Sequence, residues 1–151
     1  MDIPVISSEF LEELTKVSRK IRTIFNKKVT EHGLTYPRAR TLLRLIRKPY
    51  MKQSELAFEL ELEQATMVRL LDRLEENGVI ERHPDPNDRR AKLLVLTPHG
   101  VEQAELVRSI GETMRKQMFQ NIKAEELMAC IEVFDRISAN IDDMEKNDAS
   151  A

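Results

Sequence analysis

The stretch that most constrains the fold runs from Gln64 to Thr97, where an amphipathic helix is followed at once by a hairpin. Apolar side chains recur here at steps of three and four, which places them on one stripe of the helix; they are Met67, Leu70, Leu71 and Leu74. The helix ends at Asn77-Gly78, because glycine accepts the left-handed conformation that commonly follows a helix C-terminus. This stripe must be buried against the rest of the fold.

Two short strands are predicted after this helix, on either side of a loop rich in turn-forming residues. Branched and apolar residues dominate 79–83 and 92–96, and the intervening 84–90 contains proline, aspartate and asparagine. The loop ends in the pair Arg89-Arg90. A helix with one open face beside an arginine-tipped loop is an arrangement suited to contacts with DNA.

Residues 69–100, RLLDRLEENGVIERHPDPNDRRAKLLVLTPHG, resemble the recognition helix and wing of the MarR family of winged-helix regulators, and its SlyA-like branch in particular. The most specific part is Asp88-Arg89-Arg90 followed by a strand and Leu96-Thr97. The order and length of the flanking helices also suit that family, so the resemblance covers almost the whole chain. It implies a fold that is mainly α with a small β-hairpin wing (α+β), in which a winged helix-turn-helix head joins a helical dimerisation region.

The open face of the helix that begins at Gln64 is predicted to enter a major groove, where its first turns would meet base edges and phosphates. The predicted contacts are Gln64, Ala65, Thr66, Arg69 and Arg73. The resemblance implies that Arg69 is the base-reading arginine. The alternative is that Arg69 and Arg73 only form ion pairs with Asp72 or Glu76 on a solvated helix face.

The hairpin tip is predicted to enter the neighbouring minor groove, since a narrow minor groove has a strong negative potential that attracts arginine. The predicted wing contacts are Asp88, Arg89 and Arg90. The carboxylate of Asp88 is expected to orient an arginine by a charge-assisted hydrogen bond, and the resemblance carries that role onto Asp88 and Arg90. The alternative is a pair of solvated arginines in a mobile loop.

Three helices are predicted before the recognition helix. The first covers 8–31, the second begins at the cap Thr35 and ends at Lys48-Pro49, and the third covers about 53–60. The turn after the third helix places Glu61 where helix-turn-helix units often have glycine, and we expect Glu61 to avoid a left-handed conformation. Its neighbours Glu59 and Glu63 would repel phosphate unless they point aside or pair with cations such as Arg69.

Two helices are predicted after the hairpin, one opened by the cap Thr97 and another over 124–144, with a frayed tail from Glu145. Their apolar stripes exceed what a small head could cover, which predicts a homodimer. The predicted organisation is one MarR-like domain over 1–151, with the winged helix-turn-helix head at 36–98 and the dimerisation region at 8–31 and 98–144.

The composition excludes several classes of protein. No apolar run approaches the roughly 20 residues of a membrane span and no signal peptide opens the chain, which predicts a cytoplasmic protein without membrane contact. The single cysteine, Cys130, lies in an apolar pattern and is expected to be packed. No nucleophile–base pair, phosphate-binding glycine loop or metal-ligand spacing appears, so we predict neither enzyme activity, nor a cofactor, nor a metal.

Together with these patterns, the resemblance implies a homodimeric transcriptional regulator, a repressor, that binds double-stranded DNA at a pseudo-palindromic operator with half-sites about 10 base pairs apart. The resemblance implies control by a small aromatic or phenolic ligand, whose binding residues the sequence does not identify. The rival hypothesis is a winged-helix protein-interaction module without DNA binding. Its support is the acidic run Glu59-Glu61-Glu63 and the net charge of −2, although the cationic excess falls within 36–98.

Overall fold

A computed structural model describes residues 2–150 of the chain, and this part forms six α-helices and a small antiparallel sheet. The helices are α1 (Ile3–Glu31), α2 (Tyr36–Arg47), α3 (Gln53–Leu60), α4 (Gln64–Glu76), α5 (Pro98–Met118) and α6 (Ala124–Ala149). The strands are β1 (Met51–Lys52), β2 (Ile80–Asp85) and β3 (Asp88–Leu96). The predicted fold class, mainly α with a small β-hairpin wing, is confirmed.

The described chain divides into two compact units within α5. The first unit extends to Met114 and contains α1 to α4, the sheet and most of α5. The second begins at Arg115 and contains the end of α5 and all of α6. The predicted boundaries of the head and of the dimerisation region stay predictions.

The core of the first unit lies where α2, α3 and α4 meet the sheet. Large side chains from each of these elements are fully buried there; they include Leu42, Leu45, Leu56, Met67, Leu71, Leu74, Ile80 and Leu94. The predicted stripe of the recognition helix is therefore its buried face, with Leu70 partly buried at the edge. Burial of this face determines which face of α4 remains open to solvent.

The sheet has the order β1-β3-β2. The sequence pattern did not predict β1, because two residues are too short to show an alternation; Met51 pairs with Leu94 and Lys52 with Leu93. The hairpin strands also extend further than predicted. They leave only Pro86 and Asn87 between them in place of the predicted loop 84–90, with a register shift between Pro84 and Asp85.

Both predicted threonine caps are present. Thr35 Oγ1 accepts the backbone N–H of Arg38 at 3.3 Å, and Thr97 Oγ1 accepts that of Gly100 at 3.0 Å. Thr97 Oγ1 also donates to the carbonyl of Gly78 at 2.6 Å, which ties the start of α5 to the end of the recognition helix. These bonds satisfy backbone groups that a helix leaves free at its N-terminus.

Three expectations were wrong. Glu61 adopts a left-handed conformation with φ 55°, because the chain must reverse between α3 and α4 and the N–H of Leu62 closes that turn on the carbonyl of Ala57. The predicted frayed tail is helical to Ala149. Cys130 is exposed, since α6, described over its full length, has no buried residue in the single chain.

Candidate nucleic-acid interface

The open face of α4 presents all five predicted major-groove residues to solvent. Gln64, Ala65, Thr66, Arg69 and Arg73 are each exposed. Neither Arg69 nor Arg73 forms an ion pair within the described residues, and the predicted partner Asp72 instead binds Arg82 at 2.6 Å. The alternative of a solvated face held by ion pairs is therefore not what the structure contains, and both guanidinium groups are available for an external ligand.

Thr66, Arg69 and Arg73 share one groove along α4. This groove has a volume of about 490 Å³, and its remaining lining comes from the start of α2, from the turn and from α4 itself: Thr35, Pro37, Leu62 and Leu70. A hydroxyl and two guanidinium groups on a partly apolar floor can donate hydrogen bonds to base acceptors and phosphate oxygens and can contact a thymine methyl group.

The tip of the wing is held by two aspartates that bind the backbone two residues ahead. Asp85 accepts the N–H of Asn87, and Asp88 accepts the N–H of Arg90, both at 2.9 Å. This is the turn chemistry for which aspartate is favoured. The expected bond from Asp88 to an arginine side chain is absent from the described residues, so Asp88 orients the backbone of Arg90 and leaves its guanidinium group free.

A second cleft, of about 290 Å³, separates the wing from the starts of α3 and α4. Its lining residues are Lys52, Gln53, Ser54, Gln64, Asp88, Arg90, Ala91 and Lys92. The structure therefore places Gln64 in one cleft with Asp88 and Arg90. Gln64 does not line the groove that contains Arg69. Of the remaining predicted residues, Ala65 and Arg89 line neither the groove nor this cleft.

Arg82 on β2 joins the wing to the recognition helix. Its Nε and Nη2 donate to the two carboxylate oxygens of Glu75 at 3.1 and 3.2 Å, and Nη2 also donates to Asp72 at 2.6 Å. The hydrogen bond from Arg82 lowers the pKa of the Glu75 carboxyl below its usual range. The sequence analysis did not single out Arg82, because its partners lie 7 and 10 residues away on another element.

Of the two arrangements that would reduce repulsion of phosphate, pointing aside or pairing with a cation, the structure shows a cation pair for Glu59, and that cation is not Arg69. Glu59 lies 3.7 Å from Arg44 on α2, while Glu61 occupies the left-handed turn and Glu63 is exposed just ahead of α4. One of the three carboxylates is thus partly compensated. The other two form no ion pair in the described residues; Glu63 is exposed at the start of α4, and Glu61 lines a cavity with Arg22 and Arg40.

Replacing Arg82 with methionine should destabilise the protein by about 1 kcal/mol at pH 7, because two partly exposed carboxylates lose a bidentate partner whose effect solvent screens. Glu75 has a lowered pKa when folded, so this stabilisation is present above the unfolded-state pKa of about 4.3 and is lost as the pH falls through the folded value. Urea unfolding of both proteins at pH 7, 5 and 3.5 measures it.

The difference in free energy of unfolding between parent and Arg82→Met should be constant from pH 7 to 5 and smaller at pH 3.5. Arg108→Met, which removes an exposed pair with Glu105, is the matched control and should cost less than about 0.5 kcal/mol. An Arg82→Met deficit that persists unchanged at pH 3.5 would contradict the ion-pair explanation and indicate lost packing.

None of the helices within residues 2–150 is both long enough and apolar enough to cross a membrane. Within the same residues, no three His, Cys, Asp or Glu side chains lie close enough together to hold a metal ion.

Comparison with known proteins agrees with this geometry. The model of the MarR family matches residues 34–92. The uncharacterized HTH-type transcriptional regulator YdgJ of Bacillus subtilis (strain 168) is 30% identical over 138 residues, which cover 91% of this chain and 82% of that protein.

Solved structures share the fold. The transcriptional regulator PA3341 has a TM-score of 0.81 at 33% identity, over 89% of this chain and 98% of its own. A MarR-family regulator from Listeria monocytogenes, crystallised with a 26mer DNA, has a TM-score of 0.75 at 22% identity, over 88% and 89% of the two chains. The similarity to YdgJ and PA3341 extends over most of each chain, and the protein therefore belongs to the MarR family of transcriptional regulators, which is not a family of enzymes.

Proposed function

We propose that this protein represses transcription by binding a pseudo-palindromic operator as a homodimer in the cytoplasm, in the manner of the SlyA-like branch. The observation that carries the proposal is the open face of α4, where Arg69 and Arg73 form no ion pair in the described chain beside a wing with a free Arg90. In each half-site α4 enters the major groove and the wing enters the flanking minor groove. The Listeria protein that shares the fold was crystallised with DNA, which supports this assignment.

The test is selection of bound sequences from a random duplex library by the protein. The proposal predicts enriched sequences with two inverted half-sites about 10 base pairs apart, because two identical heads related by a two-fold axis must face one side of the duplex. Enrichment of single, unpaired half-sites would contradict the dimeric arrangement. Absence of any enrichment would support the rival winged-helix interaction module.

The homodimer is proposed from the apolar surface of α1. Only Val29 of this 29-residue helix is buried, whereas a row of aliphatic side chains at steps of three and four is exposed; they include Ile3, Ile6, Leu14, Val17, Ile21 and Ile24. Contiguous exposed apolar surface of this extent is characteristic of an association surface. In the second unit, α6 also exposes apolar side chains that suit an association surface; they include Met128, Ile131, Ile141 and Met144.

Light scattering at micromolar concentration should therefore return twice the 17.6 kDa of one chain. Val17→Glu should shift the mass toward the monomer, since it places a charge among these side chains, and the neighbouring Lys16→Glu is a matched control that should leave the dimer intact. A parent mass of one chain would refute the dimer.

The proposed effector, a small aromatic acid or phenol, fits a cavity of about 320 Å³ between α1 and α2. Phe25 and Tyr36 meet there edge to face at 5.9 Å, and Arg40 lies 5.5 Å over the Tyr36 ring. Arg22 also lines the cavity and adds a second positive charge, and Glu61 adds one negative charge to the lining. Aromatic walls with two guanidinium groups suit a ring that carries a carboxylate.

Titration with benzoate, a simple aromatic carboxylate, tests this cavity. The parent should bind benzoate and release its selected operator, whereas Arg22→Ala should bind benzoate at least several-fold more weakly with the same operator affinity, because one charge-assisted hydrogen bond is lost. Equal benzoate binding by parent and Arg22→Ala would contradict this location.

A further inference from the structure

The cleft between the wing and the start of α3 carries positive charge in addition to that of Arg90, the proposed minor-groove contact. Three cationic side chains line it, those of Lys52, Arg90 and Lys92, against the single carboxylate of Asp88. That carboxylate already accepts the backbone N–H of Arg90. The cleft is therefore suited to an anion.

The alternation of β3 explains why Arg90 and Lys92 lie together. Residues two apart on a strand share a face, so Arg90 and Lys92 lie on the face of Leu94, which is fully buried against the head. The same face of the wing is thus apolar at Leu94 and cationic toward the tip, where the hairpin extends beyond β1. The cationic part faces the starts of α3 and α4 across the cleft.

Lys52 is held in place on the opposite side. Its ammonium group lies 3.8 Å from the carboxylate of Asp85, whose side chain is only 7% exposed. An ammonium group has three donors, so Lys52 can bind a second anion while Asp85 continues to hold it. The hydroxyl of Ser54 and the amides of Gln53 and Gln64 add uncharged hydrogen-bonding groups to the lining.

We propose that this cleft binds one backbone phosphate of DNA, on the strand that passes between the major groove read by α4 and the minor groove entered by the wing. Lys52, Lys92 and Ser54 are the residues that bind it. The inference rests on the proposed DNA binding and adds a contact that carries no base information. Its task is to set the register of α4 and the wing on the duplex.

Binding of random duplex DNA and of a selected operator at 50 to 200 mM KCl distinguishes a phosphate contact from a base contact. Lys52→Gln should weaken both complexes by the same factor and reduce the slope of log affinity against log salt by roughly 0.9 per protomer. Lys92→Gln should behave in the same way. Lys27→Gln, an exposed lysine of α1 outside the cleft, is the matched control and should leave affinity and slope unchanged.

Ethylation interference keeps the test independent of any folding defect in the variants. On the selected operator, ethylation of one phosphate per half-site should block the parent and should have no further effect on Lys52→Gln. If the affinity of the parent depends steeply on salt and the salt slopes of Lys52→Gln and Lys92→Gln equal the parent's, the phosphate site alone is overturned. A parent that binds neither duplex at 50 mM KCl would overturn the proposed function as well.

Discussion

Replacement of Arg69 by alanine should weaken the selected operator complex by about 1 to 3 kcal/mol for each half-site, which is a loss of roughly 5- to 150-fold per protomer. The guanidinium group of Arg69 has no ion-pair partner in the described chain and lines the groove with Thr66 and Arg73. No intramolecular bond therefore has to be broken before it binds a base. Competition binding on the operator and on random duplex DNA measures the change.

The pattern of the loss identifies the role of Arg69. If Arg69 reads a base, Arg69→Ala should lose its base preference at one operator position per half-site, while its affinity for random DNA should fall little. Arg89→Ala removes the same charge and serves for comparison with Arg69→Ala. Arg89 is exposed on the wing and lines neither the groove nor the cleft. Equal losses on both duplexes would place Arg69 among the phosphate contacts and leave the operator to be read by other residues.

The second large effect is structural and concerns Gly100 in the first turn of α5. A Cβ atom at this position would lie 2.0 Å from the carbonyl oxygen of Val79 and 3.2 Å from a methyl group of Leu96. The obstacle is backbone, which cannot rotate away, so Gly100→Ala should separate α5 from the start of β2. We expect a loss of about 3 kcal/mol, the upper range for overpacking.

Thermal unfolding at one fixed protein concentration measures this loss, which corresponds to a fall in Tm of roughly 6 to 12 °C for a chain of this size. Gly78→Ala is the control. Its Cβ would meet no atom within 4 Å, but its φ of 71° is strained for alanine, so only about 1 kcal/mol should be lost. A smaller effect at Gly100 than at Gly78 would contradict the close approach.

Features that depend on neighbouring residues were predictable from the sequence. The apolar spacing of α4, the bounds of α3 and the threonine caps of α2 and α5 all follow from short-range rules of packing and hydrogen bonding. The apolar spacing also identified the open face of α4, and the turn residues identified the hairpin, for the same reason. Each is encoded within one continuous segment of chain.

Features that depend on contacts between distant elements were not predictable. β1 exists because Met51 pairs with Leu94, and a two-residue strand has no pattern of its own. Arg82 joins the wing to α4 through Asp72 and Glu75, which lie far from it in sequence. The left-handed Glu61 shows the same limit, since the reversal between α3 and α4 overrides the local preference of glutamate.

The central claim is that the open face of α4 and the wing bind DNA, and the salt dependence of binding to a random duplex tests it most directly. The protein should bind with micromolar affinity at low salt, and log affinity should fall linearly with log salt, with a slope that counts the phosphates contacted. Negligible affinity at 50 mM KCl, or an affinity independent of salt, would contradict the account and favour a winged-helix module that binds protein.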